Sequence, residues 1–212
     1  VDYSTIKNFV FNITKDIRMT DISTLKKKLE QHYVNLSFDP AVALKDLRLN
    51  SFTKKYIKNI LARITSYIEE KTNVASNYCN YMNTQTKNPF EIEHIIADHY
   101  EWLTTEYSDQ EDFKRWRNNI GALLLLHKSI NASLNDSKYE YKLKKYCSSE
   151  GNIYTESLGD LAYQNNPQFK KFIIDNNLGF KAYASFGKSE IAERVEVLVD
   201  LTKLVWNDDM FI

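Results

Sequence analysis

Apolar side chains recur at helical spacing along the first third of the chain: Ile22, Leu25, Leu29, Tyr33 and Leu36, then Tyr56, Ile57, Ile60, Leu61, Ile64, Tyr67 and Ile68. Stripes at three- and four-residue steps predict amphipathic helices whose inner faces form core, and Ser51 and Thr53 stand where a helix cap belongs. The period then changes. Pro89-Phe90-Glu91-Ile92-Glu93-His94-Ile95 alternates apolar and polar like a short half-buried strand, and Ile120-Gly121-Ala122 leads through a tight bend into Leu123-Leu124-Leu125-Leu126, a second strand. A helix capped by Asp136 is expected next, with Tyr139, Leu143 and Tyr146 facing inward and Lys138, Lys142 and Lys145 on a neighbouring stripe. Helical spacing returns after Asn166-Pro167, where Phe169, Phe172 and Ile173 are predicted to be buried, and after Ser189, the expected cap of a helix carrying Ile191, Val195, Leu198, Thr202 and Val205. This order predicts an α+β, mainly α fold: a small ββα core (74–146) embedded between N-terminal (1–73) and C-terminal (147–212) helical parts, the last packing on the core.

Composition supports that reading. Five glycines and three prolines in 212 residues disfavour a turn-dense sandwich or barrel, and 14 tyrosines with 11 phenylalanines argue against disorder. Cys79 and Cys147 are isolated, which excludes zinc sites built on several thiolates and fits a reducing compartment. No apolar run is long enough for a membrane span, and Val1-Asp2-Tyr3 lacks both a leader pattern and an initiator Met, so a piece of a larger cytoplasmic protein is expected. No phosphate-cradling glycine loop is present, which disfavours a nucleotide site within these residues.

Lys and Arg number 28, as do Asp and Glu, so attraction to nucleic acid requires local segregation of charge. Between positions 89 and 113 every formal charge is acidic, whereas 114 to 146 holds Lys114, Arg115, Arg117, Lys128, Lys138, Lys142, Lys144 and Lys145 against Asp136 and Glu140. Two adjoining solvated faces would give the same pattern. Chemistry concentrates at this border. Glu93-His94 sets a carboxylate and an imidazole next to each other at a strand end, and Asn131 to Asp136 offers amide oxygens. An imidazole can deprotonate water near neutral pH, while hard oxygen ligands hold magnesium or manganese, as a one-metal phosphodiester-hydrolysing site requires. A lone histidine on an alternating strand is equally an ordinary structural residue.

Ile92-Glu93-His94-Ile95-Ile96-Ala97-Asp98, Arg117-Asn118, Ile120 to Leu126, Asn131-Ala132-Ser133, Tyr139-Glu140-Tyr141-Lys142 and Tyr163 to Phe169 follow one another in the chain. In this order they resemble the C-terminal nuclease domain of GmrSD-type (type IV) restriction proteins, a branch of the HNH or ββα-metal endonucleases. The likeness runs from Ile92 to about Trp206 and, through Ile60-Leu61-Ala62-Arg63-Ile64, back to about Phe52. It implies a DNA endonuclease with His94 as general base and Glu93 and Asn131 as ligands of Mg2+ or Mn2+; Asp98 and His99 would complete the coordination or position water, a surface role being equally open. Arg117 and Lys142 match recurrent basic positions that would hold phosphates, with pairing to the acidic segment the alternative for Arg117, and the stripe of Lys138, Lys142 and Lys145 would contact DNA. Two positions depart from the pattern: Ala122 stands where many such motifs have their middle Asn, and His127 where proline is expected, with an exposed position as its simplest role.

The resemblance further implies metal-dependent nicking, with double-strand breaks made by a homo-oligomer or by successive events. It also implies an NTP-hydrolysing domain upstream in the same protein, no membrane association, and a cytoplasmic role in defence against phage or other foreign DNA, often modified. Two other classes stay open: a DNA-binding or regulatory module that has lost cleavage, and a purely structural interaction domain.

Overall fold

The structure, a computed structural model, describes residues 3–34, 39–148 and 152–206. The chain divides into two compact units, one formed by 1–39 with 206–212 and the other by Pro40–Val205. In the first, α1 (Tyr3–Ile17) packs against α2 (Ile22–Val34). Asp21 opens α2 by accepting hydrogen bonds from Thr24 N at 2.9 Å and Thr24 Oγ1 at 2.7 Å. Ile22, expected in a core stripe, is 85% exposed at the helix start, ahead of the packed turns. Leu36 and the Tyr33 side chain lie outside the described residues.

The second unit carries the remaining elements: α3 (Pro40–Lys45), α4 (Lys54–Lys71), α5 (Tyr78–Met82), β1 (Phe90–His94), α6 (Gln110–Arg117), β2 (Leu123–His127), α7 (Lys128–Leu134), α8 (Tyr139–Tyr146), α9 (Ile153–Glu156), α10 (Asp160–Asn165), α11 (Pro167–Asp175) and α12 (Lys188–Val205). The protein is thus mainly helical, with one two-stranded sheet among the described residues. Helix α4 follows its sequence pattern, since Ile57, Leu61, Ile64 and Ile68 are sealed from solvent. Tyr56 is the exception, lying off the inner arc and exposed. Thr53 precedes α4 without capping it; its hydroxyl donates to Arg48 O and accepts from Asn50 N. At α11 the Asn166 side chain accepts from Phe169 N at 2.9 Å, with Pro167 in the first turn where its missing N–H costs nothing. Helix α12 begins one residue before the expected cap Ser189, and Glu190 accepts from Gly187 N at 2.8 Å instead.

Strands β1 and β2 are antiparallel, with Glu93 opposite Leu124, His94 opposite Leu123 and Phe90 opposite His127. Ile95 N donates to Ala122 O at 2.9 Å and Lys128 N to Pro89 O at 2.9 Å. Hydrogen-bonded pairs alternate with non-bonded ones, so Phe90, His94 and Leu125 turn their carbonyls away from the partner strand. Each is met by a side-chain donor: Lys58 Nζ to Phe90 O at 2.7 Å, Lys142 Nζ to His94 O at 2.8 Å, and Asn152 Nδ2 to Leu125 O at 2.8 Å. Both faces of β2 are covered, which is why Leu123 to Leu126 reads as an unbroken apolar run. Leu124, Leu126 and Ile95 join Ile130 and Leu134 of α7, Tyr146 of α8, Phe113 of α6 and Ile191 of α12 in one apolar cluster.

One local reading holds and another changes. The bend into the second strand is Ile120–Ala122, a 3-10 turn, and β2 starts at Leu123. Gly121 sits there because α12 crosses so closely that a Cβ would stand 2.4 Å from Ile191 O and 2.9 Å from Val195 Cγ2; Arg194 Nε donates to Gly121 O at 2.9 Å. Asp136 does not cap α8. A further helix, α7, follows β2 directly and is ended by Asn135 at φ 45°, a left-handed conformation that Asn tolerates. The chain then enters α8 through Lys138, while the Asp136 carboxylate faces His99.

Candidate functional site

Successive residues of a strand point to opposite faces, so Glu93 and His94 diverge at the end of β1. Glu93 turns to the face covered by α7 and α8. It is 7% exposed, more buried than its apolar neighbour Ile92, because α8 supplies partners: Lys142 Nζ at 2.7 Å and Tyr146 Oη at 3.1 Å, both donating to Oε1. Burial raises the Glu93 pKa, and the nearby Lys142 ammonium only partly offsets it. Its Oε2 carries no hydrogen bond among the described residues.

His94 leaves the other face, where Nε2 lies 3.0 Å from Asn118 Oδ1. The Asn118 amide nitrogen is committed to Lys114 O at 2.9 Å, so the oxygen facing the imidazole can only accept. Nε2 therefore bears the ring proton, and Nδ1, with no partner among the described residues, keeps its lone pair. Burial, reinforced by the Arg117 guanidinium, pushes the His94 pKa down to about 4. The ring is neutral at physiological pH and oriented by a neighbour, so it is free to accept a proton, but the depressed pKa makes it a weaker base than an ordinary imidazole. Asn118 is the partner of the candidate base to which the sequence reading gave no role. It closes α6 as its C-cap, a common place for Asn, and nothing in the local sequence ties it to an imidazole 24 positions away.

The remaining candidates fall into different environments. Arg117 is largely buried, its Nε donating to Ile96 O at 3.1 Å and lying 3.8 Å from Asp98 Oδ1. Asp98, with its side chain 63% exposed, thus reaches toward Arg117. Lys142 does not share the surface with Lys138 and Lys145: it is 2% exposed, with its ammonium engaged by Glu93 and His94 O, whereas the other two are open to solvent. Asn131 lies on α7, which packs on both strands, and its half-buried amide makes no hydrogen bond with the described residues. His127 is half-buried, stacked on Phe90 with centroids 3.9 Å apart and bonded through Nδ1 to Asn88 O. Ala122 is fully buried beneath α12.

Among the described residues no three His, Cys, Asp or Glu side chains are grouped to hold a metal ion. Two hard oxygen donors are left without a hydrogen-bond partner among the described residues, Glu93 Oε2 and the Asn131 amide oxygen, on β1 and on α7, which packs against it. A cation held by both would keep positions for water and phosphate. No helix among the described residues is long and apolar enough to cross a membrane.

Helices folded round a two-stranded antiparallel sheet, with a neutral imidazole on one face of the strand end and a buried carboxylate on the other, are the setting of the candidate chemistry. The chain belongs to the family described as GmrSD restriction endonucleases, C-terminal domain, whose model matches residues 37–201. None of the curated proteins and none of the solved structures matches it.

Proposed function

We propose that this chain is a metal-dependent endonuclease domain of HNH (ββα-metal) type that nicks DNA. The observation that supports it most is the His94 imidazole, held neutral by burial and oriented through Nε2–H by Asn118, so that Nδ1 is free to take a proton. In this reading Nδ1 removes a proton from water as the water oxygen bonds to phosphorus and the bond to the 3′ oxygen breaks. Glu93 and Asn131 hold a divalent cation, Mg2+ or Mn2+, which supplies charge neutralisation at the phosphate. Arg117, largely buried near His94, and the exposed Lys138 and Lys145 contact the DNA backbone. Lys142 serves from inside, fixing Glu93 against β1. The domain works in the cytoplasm against phage or other modified foreign DNA, alongside an NTP-hydrolysing domain of the same protein, and cuts both strands by pairing or by successive nicks.

A second reading, a DNA-binding module without cleavage, draws on the Glu93–Lys142 pair, which already satisfies part of the carboxylate. One assay separates them. Supercoiled plasmid incubated with the purified chain and Mg2+ or Mn2+ is expected to become open circular, and His94→Ala to abolish the product. Nicking unchanged in His94→Ala would overturn the assignment. Salt-sensitive retention of DNA with no metal-dependent product would establish the second reading.

A further inference from the structure

A cleft of about 300 Å3 opens next to the strand end that carries His94. Ile96, two residues beyond His94, forms one wall, and the same Ile96 accepts from Arg117 Nε; Tyr139 and Phe186 form others. At its side stands Trp102, 45% exposed, with its ring stacked on His99 at 4.0 Å between centroids and 17° between planes. His99 is itself fixed, Nδ1 against Glu101 and Nε2 3.8 Å from Asp136, so the indole rests on an anchored platform. Lys138 Nζ lies over the indole ring, 5.4 Å from its centroid, and has to move off it for a base to stack there; Glu140 lines the cleft with a carboxylate that pairs with nothing among the described residues.

With Lys138, an exposed side chain, swung off the ring toward a phosphate, the anchored indole becomes a stacking surface, since every nucleobase offers a π-face. The charge arrangement selects what enters. Two carboxylates in the lining, Glu106 and Glu140, repel a phosphate from the interior, while Lys138 favours one at the rim. A free carboxylate accepts from an exocyclic amino group, the contact by which acidic side chains read cytosine. We infer that this cleft takes an unstacked, amino-bearing nucleobase of the DNA substrate, laid on Trp102 with Glu140 accepting from the amino group and Lys138 on the flanking phosphate. The inference rests on DNA being the substrate and adds how a base beside the cut is held. Such extrusion costs least in single-stranded, mismatched or damaged DNA.

The test uses the whole chain with the metal removed by chelator, so that nothing is cut. Labelled short oligodeoxycytidylate is titrated by anisotropy, with tryptophan quenching read in parallel. Oligodeoxycytidylate is expected to bind more tightly than oligothymidylate and to quench. Trp102→Ala is expected to weaken binding at least about fivefold, Trp102→Phe to restore most of the affinity, and Glu140→Ala to erase the preference for cytosine. Circular dichroism of each variant checks its fold. Equal affinity for the two oligonucleotides, wild-type binding by well-folded Trp102→Ala, or free dCMP binding as tightly as the oligonucleotide would overturn the inference. Failure of the nuclease reading shows separately, as absence of plasmid nicking with cytidylate binding intact.

Discussion

Lys142 and Lys138 lie one helical turn apart on the same stripe, yet their substitutions should behave differently. Lys142→Met leaves Glu93 buried without its counter-ion and is expected to cost about 3–5 kcal/mol in urea unfolding, whereas Lys138→Ala should stay within about 0.5 kcal/mol. Asn118→Ala removes the acceptor that fixes the His94 tautomer; nicking should fall about tenfold or more in kcat with KM little changed, measured on plasmid. The neighbouring pair Glu93-His94 was readable from the sequence, because a carboxylate beside an imidazole in an alternating segment is a local signal. What receives each of them was not. The period of α8 says which residues share a stripe, and only the packing of α8 on β1 turns Lys142 and Tyr146 inward, toward a partner about 50 positions upstream.

At the scale of elements, the close crossing of α12 over the turn before β2 sets a sharp constraint. Gly121→Ala drives a methyl into the α12 backbone and is expected to lower stability by about 1–3 kcal/mol in thermal melts. Gly187→Ala should cost less, because the obstruction there is the end of the Glu106 side chain, which can swing aside. Helices α4 and α11 were legible, the first from its long apolar stripe and the second from Asn-Pro at its start. Helix α7 was not: seven residues with only Ile130 and Leu134 buried carry too little periodicity. The alternation in β1 gave the strand correctly and its polarity wrongly, since Glu93 is sealed in and Ile92 less so.

Across the second unit, electrostatics ties early and late segments together. Asp112 on α6 accepts from Lys188 Nζ at 2.8 Å at the start of α12 and from Arg115 Nη2 at 2.8 Å, and the Lys188 hydrogen bond leads in holding its pKa well below the ordinary 3.8. A depressed carboxylate stabilises the fold fully above its unfolded value and loses that contribution as pH falls toward the folded one. Asp112→Asn should therefore cost about 1–3 kcal/mol at about pH 6, with the gap to wild type narrowing below about pH 4 in urea titrations. The mainly helical architecture with one strand pair could be read from hydrophobic period and scarce Gly and Pro, whereas this long-range pairing, 76 positions apart, could not. The side chains of Lys58, Lys142 and Asn152 that occupy the outward carbonyls of the strand pair bear on self-association. A ribbon of two strands has two rims on which a second molecule could zip, and here Lys58 and Lys142 on one rim and Asn152 on the other take up carbonyls that an incoming strand would need. Strand-to-strand pairing of two copies is thereby disfavoured, and the imidazole at the ribbon's tip is left clear of such a seam.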